Sequence, residues 1–353
     1  MPETICLLDM TTPERADRLR EFLPDGFVLT HGTARGDEHM KEIIAEADYA
    51  ISGQVGVSGD VLRAAKKLKL LHKWGVGYDN IDIATARELG IKVARTTGSN
   101  AVAVSEFAIG LTISTLRHIA YGNAEMKKGH WRTGQLPSDT YTLSGKTVGI
   151  VGFGAIGKNV AKLLKGFGCT VLYSKRTPLD AAEEAALGVK HASMEEILTL
   201  ADVVSLHCPL TPETKDLIDL AALKKMKKTA VLINVARGGV VNEADLVTAL
   251  RAKEIAGAAM DVYEIEPLPA ESELLTLDNL VTTPHLAAMA ADNFAPVVKR
   301  MFANMQHVSR GEPVPPLDLV GGRLFGIARS VSSEAIQGDV ELCRPWIASL
   351  RSQ

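Results

Sequence analysis

Three side chains in the second half of the chain could act together on a carbonyl group. His285 can give or take a proton near neutrality, because imidazole titrates in that range. Arg237 is permanently cationic and can hold a carboxylate or a carbonyl oxygen through two parallel hydrogen bonds. Glu266 could bond the imidazole, which would stabilise the imidazolium and select its tautomer. Taken singly, the three could also be a structural histidine, a surface arginine and a solvated acid.

A glycine pattern predicts a nucleotide site to serve these groups. Gly152, Gly154 and Gly157 follow an apolar run at 148–151 with the spacing G-x-G-x-x-G, and a helical pattern follows them. This order of strand, turn and helix brings a pyrophosphate against the backbone and the helix N-terminus. A nicotinamide on that nucleotide would exchange a hydride with a carbonyl carbon, while the histidine protonates the oxygen and the arginine orients it. The expected chemistry is therefore hydride transfer.

The elements that must position these residues alternate along the chain. Strands are predicted at 203–206, 231–234, 256–260 and 280–283, and each ends in polar residues. The first hundred residues alternate in the same way, with strands predicted at 5–8, 49–52, 70–73 and 92–94. Alternation of strands and helices predicts parallel sheets, whose ligands bind beyond the carboxyl ends of the strands. A length of 353 residues predicts two such domains.

The remaining segments carry weaker signals. The apolar periodicity of residues 100–128 predicts one long helix, and the polar stretch 129–144 predicts irregular structure. Residues 292–309 predict a helix that returns the chain to the first domain. Residues 321–353 contain no pattern that predicts a fold.

Composition and charge argue against several classes of partner. The formal net charge is −3, which gives no basic field for nucleic acid or an anionic membrane. The N-terminus lacks a signal-peptide pattern, and no apolar run is long enough to span a bilayer. The four cysteines (Cys6, Cys169, Cys208 and Cys343) are scattered. They predict reduced thiols in a cytoplasmic protein, with no metal site.

Five motifs in order give the chain a resemblance to a known family, over roughly residues 45–315. They are GFGAIG at Gly152–Gly157, HCPLTPET at His207–Thr214, NVARGGVVNE at Asn234–Glu243, DVYEIEP at Asp261–Pro267 and TPH at Thr283–His285. In these motifs the chain resembles the D-2-hydroxyacid dehydrogenases. The resemblance implies an α/β fold of two doubly wound, Rossmann-like parallel-sheet domains. A cofactor domain at 101–286 would be inserted in a discontinuous substrate domain formed by 1–100 and 287–353.

The resemblance also implies roles for individual residues. Arg237, Glu266 and His285 would be the catalytic arginine, glutamate and histidine. The substrate carboxylate would be held by backbone amides in the loop Trp74, Gly75, Val76 and Gly77, together with Arg237 and His285. Asp261 would bond the nicotinamide carboxamide. The other expected cofactor contacts are Gly152, Gly154, Ala155, Ile156, Gly157, Ser174, Lys175, Arg176, His207, Cys208, Pro209, Thr214, Val235 and Ala236. Family members are usually homodimers joined through the cofactor domain, and the helix from Asn100 fits that role.

The end of the second strand of the nucleotide unit bears on cofactor choice. Units that bind NAD usually place an acid there to bond the ribose 2′-hydroxyl, whereas this chain has Ser174, Lys175 and Arg176. The two cations would attract a 2′-phosphate. We therefore expect NADP(H) to be preferred, with NAD(H) as the alternative.

The substrate is less defined than the reaction. The expected substrate is a small 2-keto acid such as glyoxylate or hydroxypyruvate, reduced to the D-2-hydroxy acid. A 3-phosphoglycerate dehydrogenase is an alternative, although Trp74 stands where those enzymes usually have arginine, with Lys73 as the neighbouring cation. After His285 the family often has a small polar residue that this chain lacks. A corepressor-like protein that senses the cofactor is an alternative from another class, and a formate dehydrogenase is a weaker one.

Overall fold

The computed structural model describes residues 2–132 and 140–321, which form two doubly wound α/β domains. The first contains a five-stranded sheet of order β2-β1-β3-β4-β5, and the second a seven-stranded sheet of order β12-β11-β10-β9-β6-β7-β8. Every neighbouring pair of strands is parallel. The predicted fold class is thus confirmed. The segment 322–353, assigned from the sequence to the substrate domain, lies outside the described residues.

The first sheet alternates with short helices that cover its two faces. Its elements are β1 (Glu3–Met10), α1 (Pro13–Arg20), β2 (Phe27–Gly32), α2 (Asp37–Ile44), β3 (Tyr49–Ser52), α3 (Gly59–Ala64), β4 (Leu70–Lys73), α4 (Ile83–Glu88) and β5 (Lys92–Arg95). Strands β3 and β4 are buried at every position, as expected of parallel strands covered on both faces. The strand order reverses between β1 and β3, which opens a crevice at their carboxyl ends.

The second sheet follows the same plan with more strands. Its elements are β6 (Thr147–Val151), α7 (Ala155–Lys165), β7 (Thr170–Ser174), α8 (Ala181–Leu187), β8 (Val189–His191), α9 (Met194–Leu200), β9 (Val203–Leu206), α10 (Leu220–Lys225), β10 (Val231–Asn234), α11 (Glu243–Arg251), β11 (Gly257–Met260) and β12 (Leu280–Thr282), with short 3₁₀ turns at Gly238–Val240 and Glu273–Thr276. A capping box formed by Ser193 and Glu196 starts α9, as its sequence predicts. The order reverses between β6 and β9, so the glycine turn after β6 lies at the switch point where dinucleotides bind.

The prediction of one long helix over 100–128 is wrong. The segment forms α5 (Ala101–Leu116) and α6 (Ile119–Lys127), and His118 between them has a left-handed φ of 50°. The carbonyl of Leu116 accepts from the amide of Tyr141, which lies on the far side of the loop that follows α6. That oxygen is therefore paired with a distant residue, and the first helix ends there. α5 packs on α7 and on β10 and β11, so it belongs to the second domain.

The chain crosses from the first domain to the second near residues 98–100 and returns near 288–290. Helix α12 (Ala291–Ser309) then packs Val298, Met301 and Phe302 into the core around β1, β3 and β4. Beyond it, Leu319 pairs with Ala94 in an antiparallel bridge at the edge of the first sheet. Both ends of the described chain therefore lie in the same domain.

A buried polar network secures this return. Asn304 donates to Nε2 of His72 at 3.1 Å and to Asp318 at 3.0 Å, and Arg300 pairs with the same aspartate at 2.7 Å. Nδ1 of His72 lies 2.9 Å from the Lys73 carbonyl, so this nitrogen carries the proton and the ring is neutral. Burial lowers the pKa of His72 to about 4, which agrees with that tautomer.

Within the described residues, no helix has both the length and the apolar character needed to cross a bilayer. Cys6, Cys169 and Cys208 are free thiols, and Cys343 lies outside the described residues.

Candidate active site

His285 and Glu266 form a hydrogen-bonded pair beyond the carboxyl end of β12. Nδ1 of His285 lies 2.7 Å from Oε2 of Glu266, and Oε1 accepts from the amide of Tyr263 at 3.0 Å. Burial opposes ionisation of Glu266, but the hydrogen bond and charge of His285 outweigh it and hold the pKa of this carboxyl below its usual value. The charge of Arg237 adds to this effect, so all three predicted catalytic residues lie within electrostatic reach of one another.

Asp261 builds the turn that presents the histidine. Its carboxylate is fully buried and accepts from the Thr283 hydroxyl at 2.6 Å and from the amides of Leu286 and Ala287 at 2.8 and 2.9 Å. The turn gives His285 a left-handed φ of 53°. Of the four lone-pair positions on a carboxylate, three are therefore used inside the protein, and one is left for the cofactor contact expected from the sequence.

Arg237 reaches across to the first domain, where Asp79 holds it. Nε of Arg237 lies 2.9 and 3.1 Å from the two carboxylate oxygens of Asp79, and Nη1 donates to the Ala236 carbonyl at 2.7 Å. A Cβ added to Gly77 would lie 1.3 Å from Nη2, so only glycine leaves room for the guanidinium there. Asn234 stabilises the turn by donating to the Arg237 carbonyl. Two of the three guanidinium nitrogens are thus already engaged, and Nη2 faces the loop predicted to hold the substrate.

That loop, Gly75–Gly77, presents backbone amides without acceptors. Within the described residues, the amide groups of Gly75, Val76 and Gly77 form no hydrogen bond, although the carbonyl of Gly75 accepts from Thr96. Gly75 has a φ of +135°, a conformation that other residues rarely adopt. Successive unpaired amides of this kind make an anion-binding concavity. Trp74, by contrast, packs against Phe294 of α12, with 5.8 Å between the centres of the two rings.

The glycine turn after β6 has the geometry that a pyrophosphate requires. A Cβ on Gly152 would lie 2.5 Å from the Cys208 amide, and one on Gly157 would lie 2.5 Å from the Gly152 carbonyl. A Cβ on Gly154 would meet nothing within 4 Å, so this face of the turn is open. Ala155 and Ile156 begin α7, and the amides of its first turn have no acceptor among the described residues. The turn therefore fits a phosphate-bearing cofactor.

Further predicted cofactor residues line the same edge of the sheet. At the end of β7, Ser174 accepts from the Gly152 amide, while Lys175 and Arg176 are exposed. Neither cation has a carboxylate within 4.0 Å among the described residues. The loops after β9 and β10 supply the rest: His207, Cys208, Pro209, Thr214, Val235 and Ala236.

His207 offers a second sign of a ligand at this edge. Its Nε2 lies 2.8 Å from the Ser205 hydroxyl, whereas its buried Nδ1 has no partner in the described structure. Burial lowers the pKa of His207 to about 4, so the ring is neutral. An orphaned buried nitrogen beside an open glycine turn is the arrangement expected where a ligand completes the hydrogen bonding.

The nucleotide turn and the histidine–glutamate–arginine group together match a known family. The family model for the NAD-binding domain of D-isomer-specific 2-hydroxyacid dehydrogenases matches residues 109–287. The chain is 37% identical over 262 residues to a glyoxylate reductase of Korarchaeum cryptofilum, covering 74% of this chain and 78% of that one. The chain belongs to the D-2-hydroxyacid dehydrogenase family.

Two further relatives differ in how much of their own length aligns with this chain. A D-3-phosphoglycerate dehydrogenase of Archaeoglobus fulgidus is 37% identical over 279 residues, which are 79% of this chain but 52% of that protein. The chain therefore spans only about half of that relative. The crystal structure of an NADPH-dependent glyoxylate/hydroxypyruvate reductase from Sinorhizobium meliloti, in complex with NADP and malonate, superposes with a TM-score of 0.79. The two are 29% identical, and the alignment covers 91% of this chain and 98% of that one.

Sequence reasoning missed the contacts of two charged residues beside the Gly75–Gly77 loop. Asp79 was not expected to bind Arg237, because the two lie 158 residues apart and in different domains. The side-chain contacts of Lys73 were also not foreseen. The only signal available was that both residues flank the Gly75–Gly77 loop.

Proposed function

We propose that this protein is a nicotinamide-dependent reductase of small 2-keto acids that yields the D-2-hydroxy acid. The single observation that carries the proposal is that Arg237 lies within electrostatic reach of the His285–Glu266 pair and places its Nη2 against Gly77 in a loop of unpaired amides. A proton donor, a cation and an anion-binding loop are the groups that reduction of a 2-keto acid requires.

Each residue has a defined task in this reaction. A bound nicotinamide would supply the hydride. The amides of Gly75–Gly77 hold the carboxylate, and Nη2 of Arg237 draws electron density from the keto oxygen. His285 donates its Nε2 proton to that oxygen as negative charge develops there. Glu266 keeps Nδ1 protonated and stabilises the charged ring, which leaves Nε2 directed at the substrate.

The names of the relatives support a small substrate. Glyoxylate reductase is the name of the Korarchaeum cryptofilum relative, and the Sinorhizobium meliloti structure is named a glyoxylate/hydroxypyruvate reductase. The Archaeoglobus fulgidus relative is instead a D-3-phosphoglycerate dehydrogenase, so oxidation of 3-phosphoglycerate is the second candidate.

A substrate panel tests the proposal. Glyoxylate, hydroxypyruvate and phosphohydroxypyruvate are each offered with NADPH and with NADH, and cofactor oxidation is followed by absorbance. We expect glyoxylate or hydroxypyruvate to give a kcat within the usual enzyme range, about 1–10³ s⁻¹. A higher kcat/KM for phosphohydroxypyruvate would favour the second candidate. A kcat below about 10⁻² s⁻¹ for every substrate would contradict an enzymatic role and favour a cofactor-sensing binding protein.

We further propose a preference for NADPH over NADH. Lys175 and Arg176 are exposed and form no ion pair within 4.0 Å in the described part of the chain, although Glu213 lies within electrostatic reach of Arg176, and no acid directly follows β7. A hydrogen bond to a charged group contributes roughly 1.5–3 kcal/mol, or about one to two decades of affinity.

Replacing Ser174 tests this preference directly. Ser174→Asp would place a carboxylate where a 2′-phosphate is expected, so kcat/KM for NADPH should fall at least about tenfold while that for NADH holds or rises. The matched control is Lys190→Ser, which removes an exposed lysine from β8 of the same domain. An NADH preference in the unmodified protein would overturn the proposal.

We propose a homodimer as the assembly. Val102 of α5 and Ile119 and Met126 of α6 are exposed apolar side chains on the second domain. Light scattering coupled to size exclusion measures the mass directly, and a mass of about 38 kDa would contradict the dimer.

A further inference from the structure

Lys73 is a buried cation that lacks an acidic partner. It is the last residue of β4 and only 6% exposed. Its Nζ donates to the carbonyl of Gly53 and to Oδ1 of Asn80, the latter at 3.0 Å. Both acceptors are neutral, and no carboxylate oxygen among the described residues lies within 4.0 Å of Nζ. An ammonium carries three N–H donors, so one remains without an acceptor.

Two other buried charges in the described structure are paired with opposite charges, and the buried carboxylate of Asp261 is satisfied by three neutral donors. Glu125 is 5% exposed and is paired with Lys128, His130 and Arg132. Asp318 is 1% exposed and is paired with Arg300. Removing an ammonium from water without a counter-charge is costly, so an uncompensated lysine in this fold needs a reason.

The charges around Lys73 come from three elements. Asp9, at the end of β1, lies close enough to favour the charged form, as does Asp79 in the loop after β4. Arg237, from the second domain, opposes it. Burial is the largest influence and, with Arg237, lowers the pKa of Lys73 to about 8. The lysine is therefore mostly charged at neutral pH and loses its charge just above.

The nearest acid is committed to another task. The carboxylate of Asp9 accepts from the backbone amides of Gly53, Gln54 and Val55, with the last two at 2.7 and 3.2 Å. Asp9 lies near the carboxyl end of β1, beside the switch point between β1 and β3. The Asp9 carboxylate thus forms its hydrogen bonds with the 53–55 loop. The hydrogen-bond acceptors of Lys73 are therefore a carbonyl oxygen and an amide oxygen.

Lys73 also ties together the two loops that border the unpaired amides. Asn80 receives from Lys73 and donates to the carbonyls of Gln54 and Val55 at 3.0 and 3.1 Å. The lysine itself bonds the Gly53 carbonyl. The ammonium therefore joins the loop after β3 to the loop after β4, and it lies within electrostatic reach of Arg237 and Asp79.

We infer that Lys73 is a positioning residue for the substrate: its buried ammonium holds the 53–55 loop and Asn80 in place and supplies the positive charge that the carboxylate of a 2-keto acid completes. The inference rests on the proposed function of the Gly75–Gly77 loop. It follows that the anion binds to the charged form of Lys73, so the affinity for the 2-keto acid should decline as pH rises above about 8.

Three variants test the inference. Lys73→Met removes the charge at similar length, and Lys73→Arg retains a charge that does not titrate in this range. Lys69→Met is the control, because this lysine sits at the other end of the same strand region and pairs with Glu3. The KM for glyoxylate, the kcat and the KM for NADPH are measured from pH 6.5 to 9.5.

Lys73→Met should raise the KM for glyoxylate at pH 7 at least about tenfold while kcat and the KM for NADPH stay within about threefold. In the unmodified protein KM should rise above pH 8, and in Lys73→Met this rise should be absent. Lys73→Arg should restore a low KM without the rise, and Lys69→Met should match the unmodified protein. An unchanged KM in Lys73→Met, or a rise above pH 8 that persists in it, would overturn the inference.

A binding measurement covers the case in which the methionine variant fails to fold. Oxamate, an unreactive analogue of glyoxylate, is titrated into the His285→Asn variant with bound cofactor, which leaves Lys73 as the group expected to titrate near pH 8. Its Kd should rise about tenfold per pH unit between pH 8.5 and 9.5, and a constant Kd would overturn the inference. Because oxamate binding requires no turnover, failure of the substrate panel would count against the proposed function and not against this inference.

Discussion

The glycine turn after β6 and the glycine loop after β4 both offer unpaired amides, but they are completed in different ways. In the turn, Gly152 and Gly157 are crowded by backbone atoms of the second domain itself. In the loop, Gly77 is crowded by the guanidinium of Arg237, which belongs to the other domain. The glycine turn is thus complete within one domain, whereas the loop proposed to hold the 2-keto acid is completed by a side chain of the other domain.

Because of this difference, substitutions in the glycine turn and in the Gly75–Gly77 loop should affect different properties of the protein. Changes at the nucleotide turn should alter cofactor affinity and the stability of the second domain. Changes at the loop should alter catalysis and affinity for the 2-keto acid, with little effect on cofactor binding. The following predictions are arranged from the largest expected effect to the smallest.

Replacing His285, the proposed proton donor, should slow the chemical step without changing the glycine turn or the Gly75–Gly77 loop. His285→Ala should lower kcat by about 10²–10⁴-fold, because the proposed proton donor is lost, while cofactor affinity stays nearly unchanged. Steady-state kinetics and fluorescence titration of NADPH measure the two quantities. His307→Ala is the matched control, since His307 also pairs with a glutamate at 2.7 Å but lies at the end of α12. Near-normal turnover in His285→Ala would remove this residue from the mechanism.

Alanine at Gly152 should mainly lower the stability of the protein, whereas alanine at Gly154 should mainly lower the affinity for NADPH. Gly152→Ala should lower the free energy of unfolding by about 3 kcal/mol or more, because the residue has a φ of +92° and the methyl would collide with backbone atoms of the β9 loop. Gly154→Ala should change stability by less than about 1 kcal/mol, since its methyl would enter open space. It should nevertheless weaken NADPH binding at least about tenfold, because that space is where the pyrophosphate must approach. Equal losses of stability in the two variants would contradict this distinction.

Gly77→Ala should disturb catalysis alone. The methyl would displace the end of a flexible arginine side chain, so the free energy of unfolding should change by less than about 1 kcal/mol. The kcat/KM for the 2-keto acid should fall about ten- to a hundredfold, because Arg237 loses its position, and the Kd for NADPH should not change. Gly110→Ala on α5, where a Cβ meets nothing within 4 Å, is the control. A comparable loss of NADPH affinity in Gly77→Ala would show that the two regions are not separable.

The smallest effect concerns acid stability, which both domains should share. His72 in the first domain and His207 in the second each have a pKa lowered by burial to about 4, whereas in the unfolded chain they titrate near 6.5. Between these values the unfolded chain binds more protons, so stability is full above pH 6.5 and declines as pH falls towards 4. Each histidine should lower the free energy of unfolding by an amount on the order of 1–2 kcal/mol when the pH falls from 7 to 5. Urea unfolding at the two pH values measures the loss, which should be smaller in His72→Gln and unchanged in His307→Gln.

Much of the fold could be predicted because parallel strands are buried on both faces. β3, β4, β9 and β10 are short, mainly apolar segments that are buried at every position, and the structure gives them the bounds that the sequence predicts. The edge strand β2 was missed because only Leu29 and Gly32 of its six residues are buried, which leaves no clear run. The break after Leu116 was missed because a long-range backbone bond and not a local residue preference ends the helix.

The candidate site also has features that the sequence predicts and features that it does not. Arg237 and His285 follow strands whose carboxyl ends meet at one edge, so the topology predicts their proximity. The contact of Arg237 with Asp79 joins two domains, and no pattern along the chain reports it. The three donors to Asp261 belong to a turn that forms only when the edge of the sheet is assembled. Pairwise contacts between distant segments are thus what the sequence could not supply.

The double passage of the chain between its domains has a mechanical consequence. A domain joined by one linker can swivel in any direction, but a domain joined at two points can rotate only about the line between them, as a door does on a pair of hinges. Gly98 and His285, near the two crossings, both have left-handed backbone conformations. Because Arg237 and Asp79 belong to different domains, rotation about this axis would change the distance between them. The two crossings alone therefore restrict the relative motion of the domains to rotation about one axis.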